Sequence, residues 1–404
     1  MTDAKLPDNL DGTCDERFGS VARLLGEQLA AGDHHGVSFA AYFRGEPVID
    51  VWGGRRINGL PVNGKGGVAW ERDTMAICFS TTKGPAATAL HMAMERSNTS
   101  YDTPVADVWP EFANKGKEKI TIRQLLCHEA GVPQIREEVP GTSVLADWDH
   151  MVGVISSLEP LWEPGTQNGY HAINYAWLIG ETLRRIDGRD VPAFVAEEIA
   201  GPLGLDGMYI GTPPSEHHRI APLIAPGSGG DLGDDEAFDQ WIPKDTIIWK
   251  ALSPRGSLID FLNTPEGKSS CIPSISGAFT ARSLAKLYSA LERGGEVDGV
   301  RILNSETVET ISTVQNDRND LVIFLAPHWR LGYMGGGGSA IPVLGPNAEA
   351  YGHVGAGGTY AAADPKAQIS FALVYDRWAP DQLLGGARGM ELSNAVVAAA
   401  EAAA

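Results

Sequence analysis

"MAICFSTTKGPAATALHMAMER", residues 75–96, runs from a short apolar stretch into a helix-forming one, with Ser80 at the junction and Lys83 three positions on. The bland account of Ser80 is a helix cap, its oxygen accepting from a free amide two or three residues later. The chemical account is sharper. A serine hydroxyl is a poor nucleophile until a base removes its proton. Positions i and i+3 share a face on the first turn of a helix, so Lys83 can reach the Ser80 oxygen. A lysine acts as a base only if desolvation or a neighbouring cation lowers its pKa. The positive end of the helix also favours negative charge developing at Ser80. S-x-x-K alone is a weak pattern, since Ser283 to Lys286 repeats it. Ser283, however, lies inside the amphipathic "TARSLAKLYSALERGG", where Leu284, Leu287 and Leu291 form the buried stripe. Ser80 is the candidate nucleophile.

Outward from this stretch, "ERFGSVARLLGEQLAAGD" (16–33) reads as an amphipathic helix and "GVSFAAYFRGEPVIDVWGG" (36–54) as a hairpin turning at Arg44–Pro47. "GTYAAADPKAQISFALVYD" (358–376) repeats the hairpin grammar around Asp364–Pro365, and an Ala-rich helical tail closes the chain. Between them, "ITIRQLLCHEAG", "MVGVISSLEPLW", "INYAWLIGETLRRIDG" and "VPAFVAEEIAGPLGL" are short helical patterns, several stopped by Gly or Pro. The pattern predicts an α/β domain assembled from residues 1–100 and 273–404, with a mostly helical region, 101–272, inserted into it. The Pro-, Gly- and acid-rich stretch 212–245, containing "GSGGDLGDDEAFD", fits no calcium-loop spacing and reads as a solvated loop that leaves His217 and His218 exposed.

Composition narrows the function classes. The chain has 404 residues, 43% hydrophobic and 21% charged, as in soluble globular proteins. A net charge of −19 repels phosphate backbones and anionic lipid, which speaks against nucleic-acid or membrane partners. The acidic N-terminus lacks the basic start and apolar core of a secretory signal. No run approaches the roughly 18 apolar residues of a membrane span. Cys14, Cys78, Cys127 and Cys271 stand singly, neither a disulfide framework nor a metal motif. The expectation is a cytoplasmic protein with reduced thiols, no cofactor and no metal.

Two further segments bear on Ser80. "EPGTQNGYHAINYAWLIGE" (163–181) puts Tyr170 in a Gly-flanked turn before a helix, where a phenol near an ammonium can share its proton. "YGHVGAGG" (351–358) is a glycine-rich stretch at the start of a strand, whose backbone can approach a ligand closely and supply an oxyanion-hole amide. In order, "STTK", a Y-x-x before "NYAWLIGE" and "HVG" by a late strand resemble the serine hydrolases related to class C β-lactamases and DD-peptidases, family VIII carboxylesterases most of all. "ITIRQLLCHEAGVP" and the segment from "IPSISGAFTARSLAKLYSALERGG" onward also read like that family, so the resemblance spans about 15–376. The GxSxG elbow of α/β-hydrolases is absent.

The resemblance implies an antiparallel sheet flanked by helices, joined to a helical domain, with the site between them. It makes Ser80 the acylated nucleophile, Lys83 its proton partner, Tyr170 the general base, and the amides of Ser80 and Ala356 the oxyanion hole. His353, Val354, Gly355 and Gly357 would bind substrate, with Trp329, residues 332–338 and the 212–250 loop as pocket walls. Two departures matter. Relatives acting on β-lactams and peptides usually end the tyrosine motif in Asn and begin the late motif with Lys and a hydroxyl residue. Here Ala172, His353 and Val354 stand there, and imidazole plus methyl hold a carboxylate less well than ammonium plus hydroxyl. The expected substrate is a small uncharged ester of a short acid. The alternatives on the same scaffold are a β-lactamase or amidase and an acyltransferase; the non-enzyme alternative is a penicillin-binding sensor. Oligomeric state is left open.

Overall fold

In the computed structural model of the chain, the described residues are 2–56, 67–224, 239, 242–377 and 385–404. Of the stretch 212–245 read as a solvated loop, residues 225–238, 240 and 241 lie outside them. Its described part is more ordered than expected, with a short helix at Pro214–Arg219, and His217 is half-buried with Nε2 3.0 Å from Thr212 O while His218 is exposed. Helix α1 is Gly19–Ala30, and strands β1 (Leu10–Cys14), β2 (Gly36–Phe43) and β3 (Glu46–Arg56) follow the predicted hairpin, its turn tightened to Arg44 and Gly45. Strand β4 (Met75–Ile77) leads through the short helix Phe79–Thr82 into α2 (Lys83–Ser97). Helix α3 (Tyr175–Asp187) lies in the middle region, with strands β5 (Met208–Ile210) and β6 (Ile220–Ala221). Strand β7 (Gly277–Phe279) and helix α4 (Ala281–Glu292) bring the chain back to the sheet. The last strands are β8 (Met334–Gly335), β9 (Tyr351–Val354), β10 (Tyr360–Asp364) and β11 (Ile369–Tyr375), before the tail helix α5 (Gly386–Ala403).

The main sheet runs β1-β3-β2-β11-β10-β9-β8, every neighbour antiparallel, so strands from the two chain ends meet at the β2–β11 pair. All seven residues of β11 are buried because helices cover both sheet faces. Ser370 Oγ donates to Ala285 O of α4 at 2.8 Å on one face. On the other, Tyr360 OH donates to Gly389 O of α5 at 3.0 Å, and its ring meets Phe371 edge-on. This is the expected α+β architecture of an antiparallel sheet flanked by helices.

A second small sheet, β5-β7-β4-β6, joins strands from the helical middle to β4 and β7, and so ties residues 208–221 to the segment that carries Ser80. Helix α2 has no polar face. Lys83 through Met94 are all buried, as befits a helix packed on every side rather than an amphipathic surface helix. No helix among the described residues is long and apolar enough to cross a membrane.

Candidate active site

Ser80 caps no helix. It sits in the second position of the short helix Phe79–Thr82, and the N-cap of α2 is Thr82, which makes no side-chain cap bond. The turn into it is strained: buried Phe79 has φ +44°, a conformation aromatic residues rarely adopt and one that collects at functional sites. Neighbouring elements hold the turn. Cys78 N donates to Gly277 O at 2.8 Å, Gly277 N donates to Thr82 Oγ1 at 2.9 Å, and Thr359 Oγ1 donates to Cys78 O at 3.0 Å.

Those bonds bring the glycine run beside the serine, and the direction differs from the expectation. The run leaves strand β9 rather than entering one, and turns into β10 at Gly357 and Gly358, with φ of 90° and 106°. A Cβ on Gly355 would stand 2.2 Å from Cys78 O, so only glycine lets this backbone lie against the Ser80 segment. The Ala356 amide, next in line, donates to no described residue, and Ala356 borders the same cavity as Ser80.

Lys83 is fully buried, and its Nζ lies 3.2 Å from Ser80 Oγ, 2.7 Å from Ala172 O and 3.2 Å from Ser274 O. Burial lowers its pKa well below the ordinary lysine value, which favours the neutral amine. A neutral amine has two N–H groups, which serve the two carbonyls. Its lone pair is then left for the Ser80 hydroxyl to donate into.

Tyr170 packs over this amine, with Lys83 Nζ 4.8 Å from its ring centroid. The ring stacks on Trp329 (5.8 Å, 15°) and meets His128 edge-on at 4.9 Å. Burial pushes the phenol pKa up, a hydrogen bond with Ser80 opposes the shift, and the balance keeps the phenol protonated. The surrounding imidazoles are neutral as well. Burial holds His171 and His353 down at about 3, and lowers His128 well below its usual value, with His171, Lys83 and His353 adding to the effect.

Asp320 went unnoticed in the sequence and proves central. Buried to 1% exposure, its Oδ1 accepts from Tyr170 N (2.9 Å), Val322 N (2.8 Å) and Ile323 N (3.1 Å). Its Oδ2 accepts from Asn168 Nδ2 (3.1 Å) and Trp329 Nε1 (3.3 Å). One carboxylate thus positions the tyrosine backbone, the tryptophan beneath its ring and the loop beyond. No sequence spacing links it to Tyr170, 150 positions away.

The cavity above Ser80 holds about 260 Å³. Of the expected binding residues, Ser80, Tyr170, Val354 and Ala356 line it. His353 does not: it is wholly buried behind Tyr170, with Nδ1 bonded to Val354 O at 2.8 Å and Nε2 unpartnered. Trp329 supports Tyr170 from beneath instead of facing substrate, and Gly355 and Gly357 shape the turn outside this cavity. Of residues 332–338 only Met334 reaches it, and of the described residues in 212–250 only Ile248. The rest of the wall was not foreseen and is apolar: chiefly Phe79, Ile173, Leu252, Leu258, Ile275 and the run Val322–Phe324. Among the described residues, no charged side chain lines it.

Residues 21–391 match the family described as beta-lactamase. The chain is 32% identical to the esterase/beta-lactamase LipL of Mycobacterium tuberculosis, covering 91% of this chain and 82% of that protein. Among solved structures, a penicillin-binding protein homolog from Caulobacter crescentus is 33% identical, with a TM-score of 0.83 over 97% of this chain and 100% of that one. A family VIII carboxylesterase is 30% identical, with a TM-score of 0.84 over 98% and 100%. With the family matched over residues 21–391 and the fold over nearly all of its length, the chain belongs to the beta-lactamase family and is a serine hydrolase of that fold.

Proposed function

We propose that the protein is a carboxylesterase that hydrolyses small uncharged esters of short apolar acids through an acyl-enzyme on Ser80. The observation that carries this reading is Lys83: a buried amine 3.2 Å from Ser80 Oγ, whose other contacts are the carbonyls of Ala172 (2.7 Å) and Ser274 (3.2 Å). Lys83 takes the hydroxyl proton as Oγ attacks the ester carbonyl, and the amides of Ser80 and Ala356 receive the oxyanion. Tyr170 gives its phenolic proton to the departing alcohol and is resupplied from the Lys83 ammonium. Water then enters in the alcohol's place and the same transfers run in reverse, freeing the acid. In this scheme Lys83 and Tyr170 divide the base and acid roles, because the phenol's raised pKa suits a donor better than a resting base.

The apolar cavity supports an uncharged substrate. LipL is named for both esterase and β-lactamase, so β-lactam hydrolysis is the second reading. A cavity wall with no cation among its described residues for the drug's carboxylate weighs against it. The test is a panel of p-nitrophenyl esters run with wild type and Ser80→Ala. Ser80→Ala should remove turnover by several orders of magnitude while the protein stays folded. A phosphonate should label the peptide containing Ser80; labelling at Ser283 would overturn the assignment.

A further inference from the structure

Four large apolar side chains stand exposed among the described residues, and Phe324 is the most exposed, at 66%. It also borders the cavity above Ser80, in continuity with Val322 and Ile323. Its φ is +56°, a conformation that costs an aromatic residue energy, and here it holds the ring out at the cavity mouth. The loop presenting it is well anchored. Phe324 N donates to Asp320 O (3.0 Å), Asp320 N donates to Leu325 O (2.8 Å), and the Asp320 carboxylate takes the amides of Val322 and Ile323. A strained, anchored backbone that keeps a phenyl ring in water beside an apolar cavity calls for an apolar occupant.

We propose that Phe324 is a specificity-determining residue, a lip that extends the binding surface, so that lengthening one apolar arm of a short ester gains binding at the lip. This rests on the esterase reading. A short ester with its carbonyl at Ser80 leaves little apolar surface to cover the exposed ring. A longer arm runs along Val322 and Ile323 and covers the face of Phe324. The same carboxylate that anchors the lip holds Tyr170 N, so an arm seated on the lip lies against the element that orients the proton donor.

The experiment measures kcat and KM for wild type, Phe324→Ala and Phe324→Leu on p-nitrophenyl esters of increasing acyl length and on acetates of increasing alcohol length. The two series tell which arm the lip holds. Phe324→Ala should lose about tenfold in kcat/KM for an eight-carbon arm, mostly in KM, and about threefold or less for the shortest ester, with Phe324→Leu restoring most of the loss. An equal loss at every length, or none at eight carbons, overturns the proposal. So does a change of assembly state in sedimentation on Phe324→Ala, which would assign the ring to a contact between copies. Calorimetric titration of Ser80→Ala with p-nitrophenyl octanoate, with and without Phe324→Ala, separates this inference from the esterase reading. Weakened binding in the double variant sustains the lip even if wild type turns over no ester, and unchanged binding removes it.

Discussion

Lys83 occupies a place where an ammonium would lack a counter-charge, since its reach ends on two carbonyls and a hydroxyl. The neutral amine is the active form, so kcat/KM should rise with pH along one ionisation set well below the ordinary lysine value of 10.5. It should fall only where Tyr170, whose pKa is raised, loses its proton. Lys83→Arg keeps a cation of similar reach that cannot deprotonate, and should lose activity by orders of magnitude across the whole range. Stability carries the same sign. Between the depressed pKa and 10.5 the unfolded chain binds the proton and the native protein does not, so stability rises with pH there, by up to about 1.4 kcal/mol per unit. Below the depressed value the cost is complete; above 10.5 it is absent. Thermal unfolding of Lys83→Met followed over pH should show this slope removed; an unchanged slope would return the charge to Lys83. The pair was legible in the sequence because helical spacing alone puts i and i+3 together. Asp320 was not, because its role is fixed by contacts among distant segments.

Two elements set the geometry around the serine: the turn after β9 and the loop closed by Asp320. Gly355→Ala would push the turn away from Cys78 O, taking the Ala356 amide with it. Loss of one oxyanion donor costs about 10²- to 10³-fold in kcat, and that fall should exceed any effect on KM. Near-normal kcat would show that Ala356 plays no part. Asp320→Asn tests the loop. All five partners of the carboxylate are donors, so whichever way the amide turns, its NH₂ faces other N–H groups. Each donor left unmet costs about 1–3 kcal/mol. The melting temperature should drop by several degrees and kcat should fall, while Asp320→Glu keeps the charge and recovers part of each. Loss of stability with kcat intact would make Asp320 purely structural. At this scale the helices and the two hairpins followed from periodicity and turn residues. The direction of the glycine run did not. Strand β9 has four residues, all buried, so it shows no alternation in the sequence, and only its pairing with β10 places the glycines after it.

Across the whole molecule, the sequence carried the architecture through patterns at both chain ends, since strands that pair at β2–β11 must each be apolar on two faces. It did not carry the cavity wall, because Ile173, Ile248, Leu258, Ile275 and Val322 read as ordinary core residues until five separate segments converge. That wall decides the substrate. An ester needs only its carbonyl carbon beside Ser80 Oγ, its oxygen on two amides and its alcohol near a proton donor. A cephalosporin must also bring a carboxylate into the cavity, where no charged side chain of the described residues meets it. Position 172 is an alanine that offers the drug's amide no side-chain bond, and His353 is neutral and walled off behind Tyr170. Each hydrogen bond to a charged group that is not made forgoes about 1.5–3 kcal/mol. Two such losses put kcat/KM for short esters at least about a hundredfold above that for any cephalosporin. Introducing a cation at the wall, as in Ile275→Lys, should narrow the gap mainly by slowing the ester. His353→Lys, placing its charge in the buried layer behind Tyr170, should cost stability without rescuing the drug. A wild-type protein that turned over cephalosporins as efficiently as short esters would show that the carboxylate needs no partner here, and the argument from the apolar wall would fail.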